Sequence, residues 1–217
     1  MGRLALIAAL ATAAILAVVV RFDRGGSAGF GLGSHLHRGD TTISIPGLPG
    51  ITINGDPLYA KDDPWRLYLA PEKDCANGEQ LDAPLAAQAS TMVCLVNFAR
   101  ARRGLQPVEP VGLLDQSALA KATKIVRCTD FNHNACGEDA AADARGAGYE
   151  GAWGENLYIA EGRYGSPRVA LDGWLNSPEH RANLFTPGWR TQGIAVEKVD
   201  RFGSDRNVTL WVNQFGT

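Results

Sequence analysis

The hydrophobic positions change their period several times along the chain. Residues 4–20, LALIAALATAAILAVVV, are apolar or small on every side, follow Arg3 and stop at Arg21. A charged start ahead of such a run is the layout of a secretory signal peptide or of an N-terminal membrane anchor. As a helix the run would be about 25 Å long against a hydrocarbon core of about 30 Å, and its small-x-small pattern, Ala11 and Ala13, lies inside the run. Both readings therefore stay open for residues 1–24. Residues 25–82 read as a glycine-rich spacer. GGSAGFGLGS at 25–34 has no helical period, and TTISIPGLPGITI alternates around Pro46-Gly47 and Pro49-Gly50 as a short hairpin would.

From residue 83 the pattern becomes that of a globular domain, 83–217. Ala89, Met92, Val93, Val96 and Ala99 recur at helical spacing over 83–103 and end at Gly104, a residue suited to a left-handed cap. Leu114, Ala118, Ala122 and Ile125 mark a second helix over 113–127. EDAAADARGAGY reads as a short helix closed by Gly146 and Gly148, and WGENLY after it as a loop. Ser166-Pro167 and Ser177-Pro178 each pair an N-cap residue with a first-turn proline, opening helices through Trp174 and to about Phe185. TQGIAVEKV and NVTLWVNQF are period-two runs around FGSDR, an antiparallel pair. Helices followed by late strands predict an α+β chain, not a doubly wound sheet.

A formal net charge of -2 lacks the basic excess that holds phosphates, so a nucleic acid partner is not expected. Cys75, Cys94, Cys128 and Cys136 are an even set in a chain that carries an export signal, which favours two disulfides. Three pairings are possible; proximity in sequence selects Cys75 with Cys94 and Cys128 with Cys136. A zinc set of Cys128, His133 and Cys136 is the competing reading, weakened by having three donors where structural zinc takes four.

The order of motifs resembles the CAP superfamily, the cysteine-rich secretory, antigen 5 and pathogenesis-related 1 proteins, in its compact bacterial form. The resemblance is carried by CLVNFARARRGLQPV at 94–108, FNHNACG at 131–137, AGY at 147–149, GENLY at 154–158, WLNSPEHRANLF at 174–185, GIAVE at 193–197 and WVNQFG at 211–216. It implies a three-layer α/β/α sandwich with a small antiparallel sheet and a cleft of two histidines with one or two glutamates. Motif by motif these are His133, His180 and Glu155. Relatives from animals and plants usually have a second glutamate three residues after the helix tryptophan, where this chain has Ser177 after Trp174. Glu179 lies two residues further along the helix, about 200° round, and is not expected to replace it.

Read without the family, His133 and His180 are two of four histidines and the two in structured segments. Imidazole suits metal ligation or proton transfer near neutral pH, and Glu155 is suited to be a third ligand or an orienting partner. The expected cofactor, if one binds, is a divalent metal such as zinc. Six acidic residues against one arginine in 137–161 would attract cations locally, or form a solvated face. HExxH is missing, and no nucleophile is identified. The expectation is an extracytoplasmic, non-enzymatic binding module, secreted or held in the membrane through residues 4–20, with a small-molecule, lipid or envelope ligand. The alternative is a hydrolase, a peptidase among them, using the same cleft.

Overall fold

The computed structural model describes residues 63–217 and, as backbone, two short strands before them. The N-terminal apolar run and the glycine-rich stretch at 25–34 lie outside the described residues. Among the described residues no helix is long and apolar enough to cross a membrane. Strands β1 (Thr41–Ile43) and β2 (Ile51–Ile53) pair antiparallel, Thr41 opposite Ile53.

The main body is built from α1 (Leu85–Arg102), β3 (Glu109–Pro110), α2 (Gly112–Cys128), α3 (Ala142–Gly146), β4 (Trp153–Glu161), α4 (Pro167–Asn176), α5 (Pro178–Leu184), β5 (Thr191–Phe202) and β6 (Asp205–Gly216). Its sheet runs β3-β5-β6-β4, with β3 parallel to β5 and the other pairs antiparallel. Apolar side chains fill both faces. On one, Met92, Leu95, Val96 and Ala99 of α1, with Leu171, Trp174 and Leu175 of α4, pack on Ile194, Val196, Trp211 and Phe215. On the other, Ala118, Ala122 and Ile125 of α2 pack on Leu157, Ala195, Leu210 and Val212. The result is the three-layer α/β/α arrangement of an α+β chain. Helix α2 approaches β5 so closely that a Cβ at Gly193 would lie 2.1 Å from the Leu114 carbonyl carbon.

Two sequence expectations need correction. WGENLY is not a loop but the start of β4, which pairs with β6 from Trp153 opposite Gly216 to Glu161 opposite Val208. Glu155, Asn156 and Leu157 are all buried, so both faces of the strand are covered and no polar alternation marks it in sequence. Residues 63–82, assigned to the spacer, are folded on the body. Cys75 is bridged to Cys94 of α1, Arg168 of α4 pairs with Glu72 and Glu79, and Arg181 lies over the Trp65 ring with its guanidinium carbon 4.1 Å from the centroid. The second disulfide joins Cys128 to Cys136. Both bonds are the pairs that proximity selects, and they remove the cysteine-histidine zinc set, because bridged sulfurs are not thiolate donors.

Buried Arg100 ties α1 to the segment after α5. Its guanidinium donates to the carbonyls of Gln106, Leu184, Thr186 and Trp189, which would otherwise face an apolar core.

Candidate functional site

Strand β4 is the edge of the sheet, and its consecutive residues point to opposite layers. Glu155 faces the layer of α2. Its Oε1 accepts from His133 Nδ1 at 2.8 Å, and its Oε2 accepts from Gln214 Nε2 at 2.9 Å, Gln214 being its register partner in β6. Asn156 faces the other layer. Its Nδ2 donates to the His180 carbonyl at 3.0 Å, and its Oδ1 accepts from Asn183 Nδ2 at 3.0 Å, which fixes α5 against the strand. The His133 loop and α5 therefore reach the same edge from opposite sides. Gly154 permits this: a Cβ there would lie 2.5 Å from Asn183 Oδ1 and 2.8 Å from Trp189 Cζ2.

The His133 loop is held at several points. The Cys128–Cys136 disulfide closes it, Asp130 Oδ2 accepts from the Cys136 amide at 3.1 Å, and buried Lys121 Nζ donates to the His133 carbonyl at 2.6 Å. Thr129 and Cys136 take left-handed backbone angles, φ 50° and 61°, at the two ends of the loop. Sequence reading did not single out Lys121, Gln214 or Asn156. Lysine in a helix reads as surface, and the polar pair Asn213-Gln214 interrupts the apolar stretch from Leu210 to Phe215, which was the available signal.

His180 stands in the first turn of α5 with Nδ1 2.8 Å from Ser177 Oγ. Burial, then the nearby charge of His133, pushes its pKa down to about 4, and Glu179 acts in the opposite direction. Glu179, although not expected to reach the site, has its Oε2 3.4 Å from Ser177 Oγ.

The acidic segment is largely neutralised from within. Asp143 and Glu138 pair with Lys124, Asp143 also lies 3.8 Å from Lys121, and Asp139 pairs with Arg145 at 2.7 Å. It is not an open cation-attracting face. Trp174, Trp189 and Trp211 are interior, each indole N–H donating to a carbonyl: Trp174 to Leu157, Trp189 to Asn183 and Trp211 to Gly165.

Among the described residues no group of three or more His, Cys, Asp or Glu side chains is arranged to hold a metal ion. What the geometry offers is two imidazoles at one sheet edge and a carboxylate behind one of them. Imidazole nitrogens are zinc-class donors, so a metal at this edge would be held by His133 and His180, with Glu155 behind His133.

Comparison with known proteins places residues 93–215, more than half of the chain, under the model of the CAP, cysteine-rich secretory protein family. The YkwD protein of Bacillus subtilis is 28% identical over 134 residues, covering 60% of this chain and 48% of that protein, so the chain matches about half of this relative's length. An extracellular protein containing an SCP domain from Bacillus anthracis superposes with a TM-score of 0.51 at 21% identity, over 60% of this chain and 40% of that one. An outer surface protein of Borrelia burgdorferi gives 0.53 at 17% identity, over 62% and 96%. At these identities the two structures speak for the fold.

Proposed function

Since the chain belongs to the cysteine-rich secretory protein (CAP) family, we infer that it works outside the cytoplasm as a binding module, its ligand taken at the β4 edge between His133 and His180. The extracytoplasmic placing is supported by the export-type N-terminal run, by two disulfides, and by similarity to an extracellular and an outer surface protein.

The observation that carries binding over hydrolysis is the commitment of Glu155. Both carboxylate oxygens are taken, by His133 and Gln214, inside a buried setting, so Glu155 is built to orient an imidazole and not to activate water. The hydroxyl beside His180, Ser177 Oγ, is buried and tied to that ring.

In this reading His133 and His180 hold a divalent cation, and Glu155 orients His133 from behind. The ion would supply Lewis-acid attraction for an oxygen of the ligand. The surroundings, Asn156, Ser177 and Gln214, are polar, which suits a small molecule or lipid bound by its polar end better than a bare acyl chain.

Zinc titration of the full chain by calorimetry tests the reading. Wild type is expected to bind weakly, and His133→Ala and His180→Ala are each expected to lose binding. Undiminished binding in both variants, or none in wild type, would remove the metal from the proposal. A hydrolytic activity found on broad substrate screening and abolished in the double variant would replace the binding module with a hydrolase.

A further inference from the structure

Ser177 opens α5 at the N-cap position, yet its side chain makes no capping hydrogen bond to the helix. The hydroxyl is turned aside. It lies 2.8 Å from His180 Nδ1 and 3.4 Å from Glu179 Oε2, in a residue only 2 % exposed. An N-cap hydroxyl withdrawn from helix amides forgoes about 1 kcal/mol of helix stabilisation, so the alternative contacts call for an explanation.

A hydroxyl has one proton to give, whereas an ionised carboxylate can only accept. If Ser177 donates to Glu179, its oxygen must meet His180 as an acceptor, and His180 must then carry its proton on Nδ1. We propose that Ser177, backed by Glu179, is a positioning group that fixes His180 as the Nδ1–H tautomer, with the ring's lone pair on Nε2. Glu155 does the same for His133, since a carboxylate oxygen 2.8 Å from Nδ1 requires the N–H on that atom. The two rings are thus set alike by unlike devices, a direct carboxylate for one and a hydroxyl relayed to a carboxylate for the other. The relay takes the place that the missing glutamate at position 177 leaves, and it uses the residue whose helical offset excluded it as a direct partner.

The proposal rests on the cleft reading above for its purpose but not for its test. Imidazole 15N shifts of the full chain, recorded without metal at neutral pH, report each tautomer directly. Wild type is expected to show Nδ1–H at both His133 and His180. Glu179→Ala removes an exposed side chain and frees the Ser177 proton, so His180 should move toward Nε2–H while His133 stays unchanged. Glu179→Gln keeps an amide oxygen as acceptor and should keep the wild-type tautomer. An Nε2–H His180 in wild type, or a tautomer indifferent to Glu179→Ala, would overturn the relay. Zinc titration of wild type is read separately: no zinc binding with the expected tautomers would sink the metal reading and leave the relay standing. If wild type does bind zinc, Glu179→Ala should weaken it about tenfold, the low end for loss of an outer partner.

Discussion

Glu155 and Gln214 face each other across β4 and β6, and the carboxylate accepts the amide N–H at 2.9 Å while its other oxygen accepts His133. The site is thereby anchored to the sheet and not merely to a loop. Glu155→Gln should expose how far this matters. One carboxylate oxygen becomes an NH2, which must face either Gln214 Nε2, leaving a buried donor without its acceptor, or His133, which must then move its proton to Nε2 to accept it. We expect a loss of about 1–3 kcal/mol, seen as a lowered Tm in thermal unfolding followed by circular dichroism.

The Cys128–Cys136 bond encloses His133 between two residues in left-handed conformations. Replacing both cysteines by serine should reduce stability by about 2–3 kcal/mol on the loop-entropy estimate. The more telling readout is local. Amide hydrogen exchange should accelerate across residues 129–137 and remain unchanged in α1 and α4, and zinc binding, where present, should weaken. Uniform acceleration throughout the chain would argue that the bond supports the fold and not the loop.

Asp172 of α4 is a buried carboxyl whose pKa is pushed up to about 8, by burial first and then by its hydrogen bond and repulsion with Asp63; Arg66 and Asn176 act against the rise. Tyr158 of β4 also feels its charge. Because the folded pKa is raised above the ordinary 3.8, the folded protein keeps a proton there that the unfolded chain has already lost. The contribution of Asp172 to stability therefore falls as pH rises between about 4 and 8, while the lowered His180 acts in the opposite direction below about 6.5. Asp172→Asn mimics the protonated form, donating to Asp63 and accepting from Asn176. Urea unfolding at pH 5 and pH 8.5 should show the variant gaining on wild type by at least about 1 kcal/mol at the higher pH. An equal difference at both pH values would contradict the shared-proton pair.

Arg100→Met keeps an unbranched apolar stem in the core and removes every donor. The carbonyls of Leu184, Thr186 and Trp189 then lose their guanidinium partner in the core. A loss of about 3 kcal/mol or more is expected by denaturant titration. The damage should centre on residues 184–190, visible as amide shift changes there before any at the Cys128–Cys136 loop.

The chain alone determined what local chemistry determines. Helical spacing in α1 and α2, the serine-proline starts of α4 and α5, and the alternation of β5 and β6 each rest on contacts within a few residues, so their elements were legible. The motifs carried the family and named His133, Glu155 and His180 as one candidate site, of which the His133–Glu155 pair is seen directly. Proximity selected both disulfides. What only tertiary structure decided is what joins distant segments. WGENLY became a strand because layers from both sides cover it, which erases the polar alternation that marks a half-buried strand. Residues 63–82 joined the body because Trp65 and Glu72 find partners on α5 and α4, far along the chain, beside the Cys75 bridge to α1. Glu155 took its orienting role from Gln214, 59 residues away. Even Ser177 and His180, three residues apart, could not be read in advance: the hydroxyl could cap its helix or hold the ring, and burial against the rest of the molecule left it beside the imidazole and Glu179.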